Sequence, residues 1–337
     1  MSVTIKIAMM NLVKVITVAA TLVCSCFTLY AQEKTKFPLA VSSKTLGYGI
    51  LWAAQKQGFF DRQGLEVQLV VMRGADKAVQ ALVGGSVYVS ASGADASIAA
   101  VEHGLDLVIV GGAINGLTHM VMGAKNIRSY DDLRGATIAA PSASVTSGTA
   151  LVMRRMLKAK GLEFPRDYQI MGAGGSVPAF TALTSGQIAA AFVAIPLSFA
   201  AADMGYNIVG RAVDVIPSYQ LAALAVHRSW AAKNRPLFMR FMKGVVLGAR
   251  WLIENKQPAI DFLVKEMDLK LEHARRGWEY YVEHRIWDPN ADITIDGVKA
   301  ALQIYAEQAQ MKGPLPSYSK YVDQSYVKDA VKELGEK

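Results

Sequence analysis

Hydroxyl groups crowd the run Pro141-Ser142-Ala143-Ser144-Val145-Thr146-Ser147-Gly148-Thr149, just ahead of a helical pattern bearing Leu151, Met156 and Leu157. Free N–H groups at a helix start, joined by side-chain hydroxyls, make a cradle for an acid group. An ordinary N-cap, with Thr146 or Ser147 capping, accounts for the same residues, and one hydroxyl can cap while its neighbours bind. A second cluster, Ser42-Ser43-Lys44 with Leu46, Gly47 and Tyr48, offers a cation for charge-assisted bonding and a flat aromatic wall. Signatures of catalysis fail. Gly172-Ala173-Gly174-Gly175-Ser176-Val177 lacks the last glycine of a dinucleotide fingerprint, and Gly111 to Leu117 lacks the lysine of a phosphate loop. No Gly-x-Ser-x-Gly elbow occurs. His103, His119, His227, His273 and His284 are dispersed, without metal-ligand spacing on one helix, and read as solvated or satisfied core residues. The expectation is a binding protein with no catalytic residue, no cofactor and no metal.

The elements that hold these clusters are built twice. Residues 81–108 and 182–209 align without a gap, and Gly85/Gly186, Ser97/Ser198 and Gly104/Gly205 are among the identical pairs. Glu102/Asp203 and Asp106/Asn207 keep their character. A repeated strand–helix–strand unit predicts two similar lobes with a cleft between them. In the first copy, strands are expected over Lys36–Val41, Val67–Met72, Val87–Ala91 and Leu107–Gly111, with helices over Trp52–Gln63, Asp76–Val83 and Ala94–His103. The second has strands over Thr137–Ala140, Tyr168–Met171, Ile188–Val193 and Ile208–Gly210, and helices over Gly148–Lys160, Pro178–Thr184 and Pro196–Met204. Such alternation argues for parallel sheets with right-handed crossovers. His119–Ala124 and Leu221–His227 belong to neither copy and carry the chain between lobes. From Arg235 onward only helices are expected, with Trp251, Trp278, Tyr280, Tyr281 and Trp287 packing in the core.

In open parallel sheets a ligand sits beyond the carboxyl ends of the strands. That rule selects Ser43, Lys44, Gly47 and Tyr48 after the first strand, and Ser90, Ser92 and Gly93 after the third. Asn115, before the first crossing, is a weaker candidate. In the second lobe it selects Ser142, Ser144, Thr146, Ser147 and Thr149, then Ile195 within Ala194–Pro196 and Tyr219 within Asp214–Tyr219.

Residues 1–31 read as an export signal: Lys6 and Lys14 precede the apolar stretch Val15–Phe27, and Leu29-Tyr30-Ala31 offers a small-residue cleavage site. Both cysteines, Cys24 and Cys26, fall inside it, so the mature chain has no thiol. Lipid attachment at Cys26 and an uncleaved anchor are the alternatives. Without the signal, 34 basic residues face 28 acidic ones, a scattered net charge of +6 that argues against nucleic acid and would help attract a small anion.

Tyr48-Gly-Ile-Leu-Trp-Ala-Ala-Gln-Lys-Gln-Gly-Phe-Phe-Asp-Arg-Gln-Gly-Leu-Glu-Val67 reads as a helix ended by Gly58, then a turn at Gly64 into a strand. This segment resembles the substrate-binding proteins of nitrate/sulfonate/taurine-type ABC importers and the related thiamine-pyrimidine binders. So do Ala81-Leu82-Val83-Gly84-Gly85 and Ala182-Leu183-Thr184-Ser185-Gly186-Gln187-Ile188, which match a repeated Ala-Leu-x-x-Gly-x-Val element. Ser129-Tyr130-Asp131-Asp132-Leu133-Arg134-Gly135 matches the linker into the second lobe. Tyr321-Val322-Asp323-Gln324-Ser325-Tyr326 with Leu334-Gly335 matches the C-terminal helix. Tyr88 and Ala189 stand where that family usually has aspartate, so no particular ligand is carried over. Fungal thiamine-pyrimidine synthases share the fold, but their cysteine-rich motif has no counterpart in a mature chain without thiols.

The resemblance implies an α/β, type II periplasmic binding fold: two doubly wound lobes joined by two crossing strands, with a helical C-terminal region packed on lobe 1. Lobe 1 is expected over 32–119 and 226–337, and lobe 2 over 120–225. It also implies a monomeric periplasmic protein that closes like a hinge on a small-molecule solute and delivers it to an ABC permease in the inner membrane. The hydroxyl loop, Lys44 and net charge favour a small sulfonate or carboxylate, while Tyr48, Trp52 and Tyr219 favour a pyrimidine or other flat ring. Handing the ligand state to a membrane receptor is the third alternative.

Overall fold

The computed structural model describes residues 33–142, 144–145 and 148–335, so the expected export segment with Cys24 and Cys26 lies outside the described residues. Residues 35–337 form one unit, described here by itself. Its first half alternates strands β1 (Thr35–Val41), β2 (Leu65–Val71), β3 (Val89–Gly93) and β4 (Leu107–Ile114) with helices α1 (Gly49–Lys56), α2 (Phe59–Arg62), α3 (Ala75–Val83) and α4 (Ala94–Glu102). A second series follows: β5 (His119–Gly123), β6 (Thr137–Ala140), β7 (Gln169–Gly172), β8 (Ala190–Ala194) and β9 (Asn207–Arg211). Its helices are α5 (Thr149–Lys158), α6 (Ser176–Thr184) and α7 (Leu197–Asp203). β10 (Ala222–His227) leads into α8 (Arg228–Lys233), α9 (Arg235–Glu254), α10 (Lys256–Met267), α11 (Leu271–Glu283), α12 (Ile295–Ala309) and α13 (Ser325–Leu334).

The two sheets have matching orders, β2-β1-β3-β10-β4 and β7-β6-β8-β5-β9. Each is mixed. β10 runs antiparallel to β3 and β4, and β5 runs antiparallel to β8 and β9. The all-parallel expectation is therefore corrected by one strand per sheet, the strand that arrives from the other half of the chain. β4 and β5 are buried along their whole length, as suits strands covered on both faces. The duplication read in the sequence recurs in the backbone. Gly85 and Gly186 have φ of +71° and +75°, and Gly104 and Gly205 have +82° and +86°, values that glycine reaches without a Cβ penalty. The expected helix over Trp52–Gln63 is two helices, broken where Gly58 turns left-handed.

A stack of rings fills the first core: Phe37 lies 4.6 Å from Phe241, which lies 5.4 Å from Phe60. Tyr88 stacks on Trp230 at 4.7 Å and meets the edge of Phe37 at 5.2 Å, so the aromatic at this position extends the core. The C-terminal helices pack on lobe 1 through α9 against α1 and α2, and two of them also reach lobe 2, α11 at α7 and α12 at α5. Equivalent acids of the repeat receive this region. Glu102 accepts from Lys320 Nζ at 2.6 Å and Tyr321 Oη at 2.5 Å. Asp203 accepts from Arg276 Nη1 at 3.0 Å and bonds His273 Nε2 at 3.0 Å.

The chain passes between sheets at residues 115–118 and 212–221. The second passage is complete by Ala222, ahead of the boundary expected between 225 and 226. The passages are joined side by side by fully buried Gln220, whose Nε2 donates to Asn115 Oδ1 at 2.7 Å and to the Ala222 carbonyl at 2.8 Å. Its Oε1 accepts from the Thr294 N–H at 3.0 Å. Among the described residues, no helix is long and apolar enough to cross a membrane. Gln220→Ala orphans these buried groups and should cost about 1–3 kcal/mol, read as a lower urea midpoint with an unchanged slope. A stability equal to wild type would show that Gln220 is dispensable.

A candidate ligand site between the lobes

Ser42, Ser43 and Thr45 follow β1, and Gly93 closes β3, so the carboxyl ends of the first sheet supply one wall of a cavity. Ser142 and Thr149, around the start of α5, and Ser176, at the start of α6, supply the facing wall. Thr118 and His119 enter from the first passage, and Tyr281 from α11. The enclosed space is about 720 Å³, including the solvent at its mouth.

Most of the hydroxyls are engaged locally. Ser42 Oγ and Tyr48 Oη lie 2.6 Å apart, and Ser142 Oγ and Thr149 Oγ1 lie 2.9 Å apart. The Ala150 N–H donates to Ser142 Oγ at 3.2 Å, so Ser142 caps the first turn of α5. Across the cleft the Gly148 N–H donates to Asp95 Oδ2 at 2.7 Å, a direct bond between the lobes. Burial raises the Asp95 pKa, the Gly148 bond opposes that rise, and the charge of Asp76 adds to it. Burial likewise pushes the Tyr48 phenol up to about 12, with Asp95 contributing in the same direction. His119 is held down to about 4 by burial, so its ring is neutral at physiological pH. That ring stacks on Phe192 at 4.9 Å, and its buried Nδ1 has no hydrogen-bond partner among the described residues.

Of the residues expected to bind, Ser43, Tyr48, Gly93, Ser142 and Thr149 line the cavity. The others do not. Lys44 pairs with Glu266 at 2.9 Å and lies over the Trp52 ring at 4.9 Å, which directs its charge away from the cleft. Gly47 is buried, and its carbonyl accepts from Trp287 Nε1 at 3.0 Å. Ser90 and Ser92 are fully buried and bond each other at 2.8 Å. Ile195 and Tyr219 are buried too, and both burial and the charge of Asp95 raise the Tyr219 phenol well above its usual range. Ser144 is half-buried outside the lining, Asn115 is spent on the passage contacts, and Thr146 and Ser147 lie outside the described residues.

The residues that sequence reasoning missed are the polar ones at the centre: Asp95, Thr118, His119, Ser176 and Tyr281. Asp95 stands two residues past Gly93, inside the first turn of α4, and the repeat gives it Pro196 as its counterpart. That acid-for-proline exchange was the available signal. His119, expected to be solvated or satisfied, is corrected to a buried cavity residue, while Tyr281 packs in the core as expected and its ring also reaches the cavity wall. No lysine or arginine lines the cavity among the described residues. None of their His, Cys, Asp and Glu side chains form a group of three or more able to hold a metal ion.

The family described as NMT1/THI5-like matches residues 47–259, more than half of the chain. A solved protein of Bordetella bronchiseptica RB50 is 21% identical over 90% of this chain and 98% of its own, with a TM-score of 0.75. The alkanesulfonate-binding protein SsuA of Xanthomonas axonopodis pv. citri, bound to MOPS, is 17% identical over 86% of this chain and 98% of its own, TM-score 0.69. The periplasmic nitrate-binding protein NrtA of Synechocystis PCC 6803 is 15% identical over 90% and 89%, TM-score 0.71. At these identities the likeness is one of fold. No curated protein matches the chain in sequence.

His119 has a signature in acid. Its unfolded form takes up a proton near pH 6.5, whereas the folded form resists until about pH 4. Stability from this residue is therefore intact above pH 6.5 and is lost as pH falls toward 4, a difference of about 3 kcal/mol. His119→Gln should flatten the stability profile by that amount between those limits in denaturant titrations. An identical acid slope in the variant would mean that His119 titrates normally.

Proposed function

This chain belongs to the NMT1/THI5-like family, and on that premise we propose that it is the extracytoplasmic solute-binding component of an ABC importer. It captures a small molecule between its lobes and presents the closed form to a permease in the inner membrane. One observation carries this reading: the carboxyl ends of both sheets converge on a single cavity, and paired passages link the sheets beside it. Two linked lobes with a ligand-lined interface shift toward closure in proportion to the contacts that only the closed state makes. Ser43, Tyr48, Gly93, Ser142 and Thr149 contribute to holding the solute, together with Thr118, His119, Ser176 and Tyr281. A monomer exported by residues 1–31 into the periplasm serves this role, and attachment through Cys26 would serve it equally. The lobes are divided at the two passages, 115–118 and 212–221.

Of the solute chemistries, a sulfonate or carboxylate is supported by the kinds of protein that share the fold and by the net charge. The aromatic alternative is supported by Tyr48 and Tyr281 on the cavity wall. Sensing differs from import only in the membrane partner.

Small-angle scattering should show the particle contract with at least one member of a broad panel of small anions, amines and aromatic rings. That compound, at a hundred times its dissociation constant, should add roughly 2.7 kcal/mol to stability. Dimensions that never change across the panel would overturn the hinge reading. Deletion of the gene should abolish uptake of that compound, and retained uptake with a lost response would instead assign a sensory role.

A further inference from the structure

Asp95 is the one formally charged side chain on the cavity wall among the described residues, and every lysine and arginine among them stands elsewhere. Lys44, the nearest sequence candidate for a cation, is held by Glu266. Besides those of α3 and α6, two helix starts on the cavity wall flank Asp95, α4 from lobe 1 and α5 from lobe 2. Unoccupied, they would attract an anion. Both are taken by the protein's own carboxylate. The carboxylate lies in the first turn of α4, and the Gly148 N–H donates to it from the threshold of α5 at 2.7 Å. The close fit is built in, since a Cβ on Gly93 would lie 2.5 Å from Asp95 Oδ1. Asp76, at the start of the neighbouring α3, adds negative potential. An anionic solute would meet this carboxylate with no cation to offset it.

The remaining polar groups suit a donor. His119 Nδ1 is buried, neutral and without a partner among the described residues, and so is able to accept an N–H. Tyr48 and Tyr281 offer ring faces, which attract cations. We propose that the solute presents a protonated nitrogen base, an ammonium, amidinium or guanidinium group, to Asp95, and that sulfonate and carboxylate groups are excluded from that end of the cleft. This rests on the solute-binding reading and sets cationic head groups in place of the anionic ones considered above. A buried carboxylate without a charged partner takes up a proton instead, and a cationic head group holds Asp95 ionised and pairs with it, so such a head group favours the closed state selectively.

Matched compounds that differ only in the head group test this: benzamidine against benzenesulfonate, and butylamine against butanesulfonate. Calorimetry should give binding, and scattering a contraction, for benzamidine or butylamine and not for their sulfonate counterparts. Asp95→Asn keeps an acceptor for the Gly148 N–H and should weaken the cation by roughly a hundredfold, the scale of losing one partner of a buried charge pair. Contraction with the sulfonates alone overturns the inference and leaves the solute-binding reading standing. Contraction with neither set overturns the inference, and the broad panel above then decides the solute-binding reading. Cation binding that Asp95→Asn leaves unchanged also overturns the inference, and if that variant fails to fold, the wild-type pairs decide by themselves.

Discussion

Antiparallel pairing of one borrowed strand in each sheet is the constraint on which the architecture depends. β10 completes the first sheet between β3 and β4, and β5 completes the second between β8 and β9. Neither lobe can close its sheet without chain from the other half. The passages that deliver these strands are consequently forced to run together, where Gln220 and Asn115 bond them. This seam ties the two lobes together at the strands each lends the other. The cavity lies beside it, framed by loops whose positions are set by the sheets.

Within that symmetric frame the chemistry is asymmetric. The repeat places Asp95 and Pro196 at equivalent points, Asp95 in the first turn of α4 and Pro196 at the N-cap of α7. Pro196 has no N–H to donate and no charge to offer, while Asp95 contributes a carboxylate and takes up the Gly148 N–H of the opposite lobe. One half of the molecule thus brings the charge and the other brings the donor. Duplication set the scaffold, and divergence at a single turn gave the cleft its electrical sign.

How far this was legible depended on scale. Strand β6 over Thr137–Ala140 matches its expected span, and the glycine pairs of the repeat forecast the turns, because such glycines report a backbone demand directly. The site was less legible for a specific reason. The third strand was expected over Val87–Ala91, whereas β3 runs Val89–Gly93. That shift of two residues makes Ser92, expected on the loop, a buried strand residue beside Ser90, while Asp95 lay inside the expected helix and so was not among the loop candidates. Lys44 failed differently. Its partner Glu266 comes from α10, more than two hundred residues along the chain, and no local pattern announces it. Tyr281 packs in the core as read, but helical spacing could not tell that the same face also meets the cavity.

Glu102 and Asp203 end equivalent helices of the two copies, and each is met by basic or hydroxyl groups from the same C-terminal third. A single kind of anchor therefore serves two different addresses. The unit that was doubled already carried its own mooring point, so one appended tail could tie up to both berths without new chemistry on either. Because the berths stand on either side of the seam, that tail straddles both lobes and ties each to the other along its length.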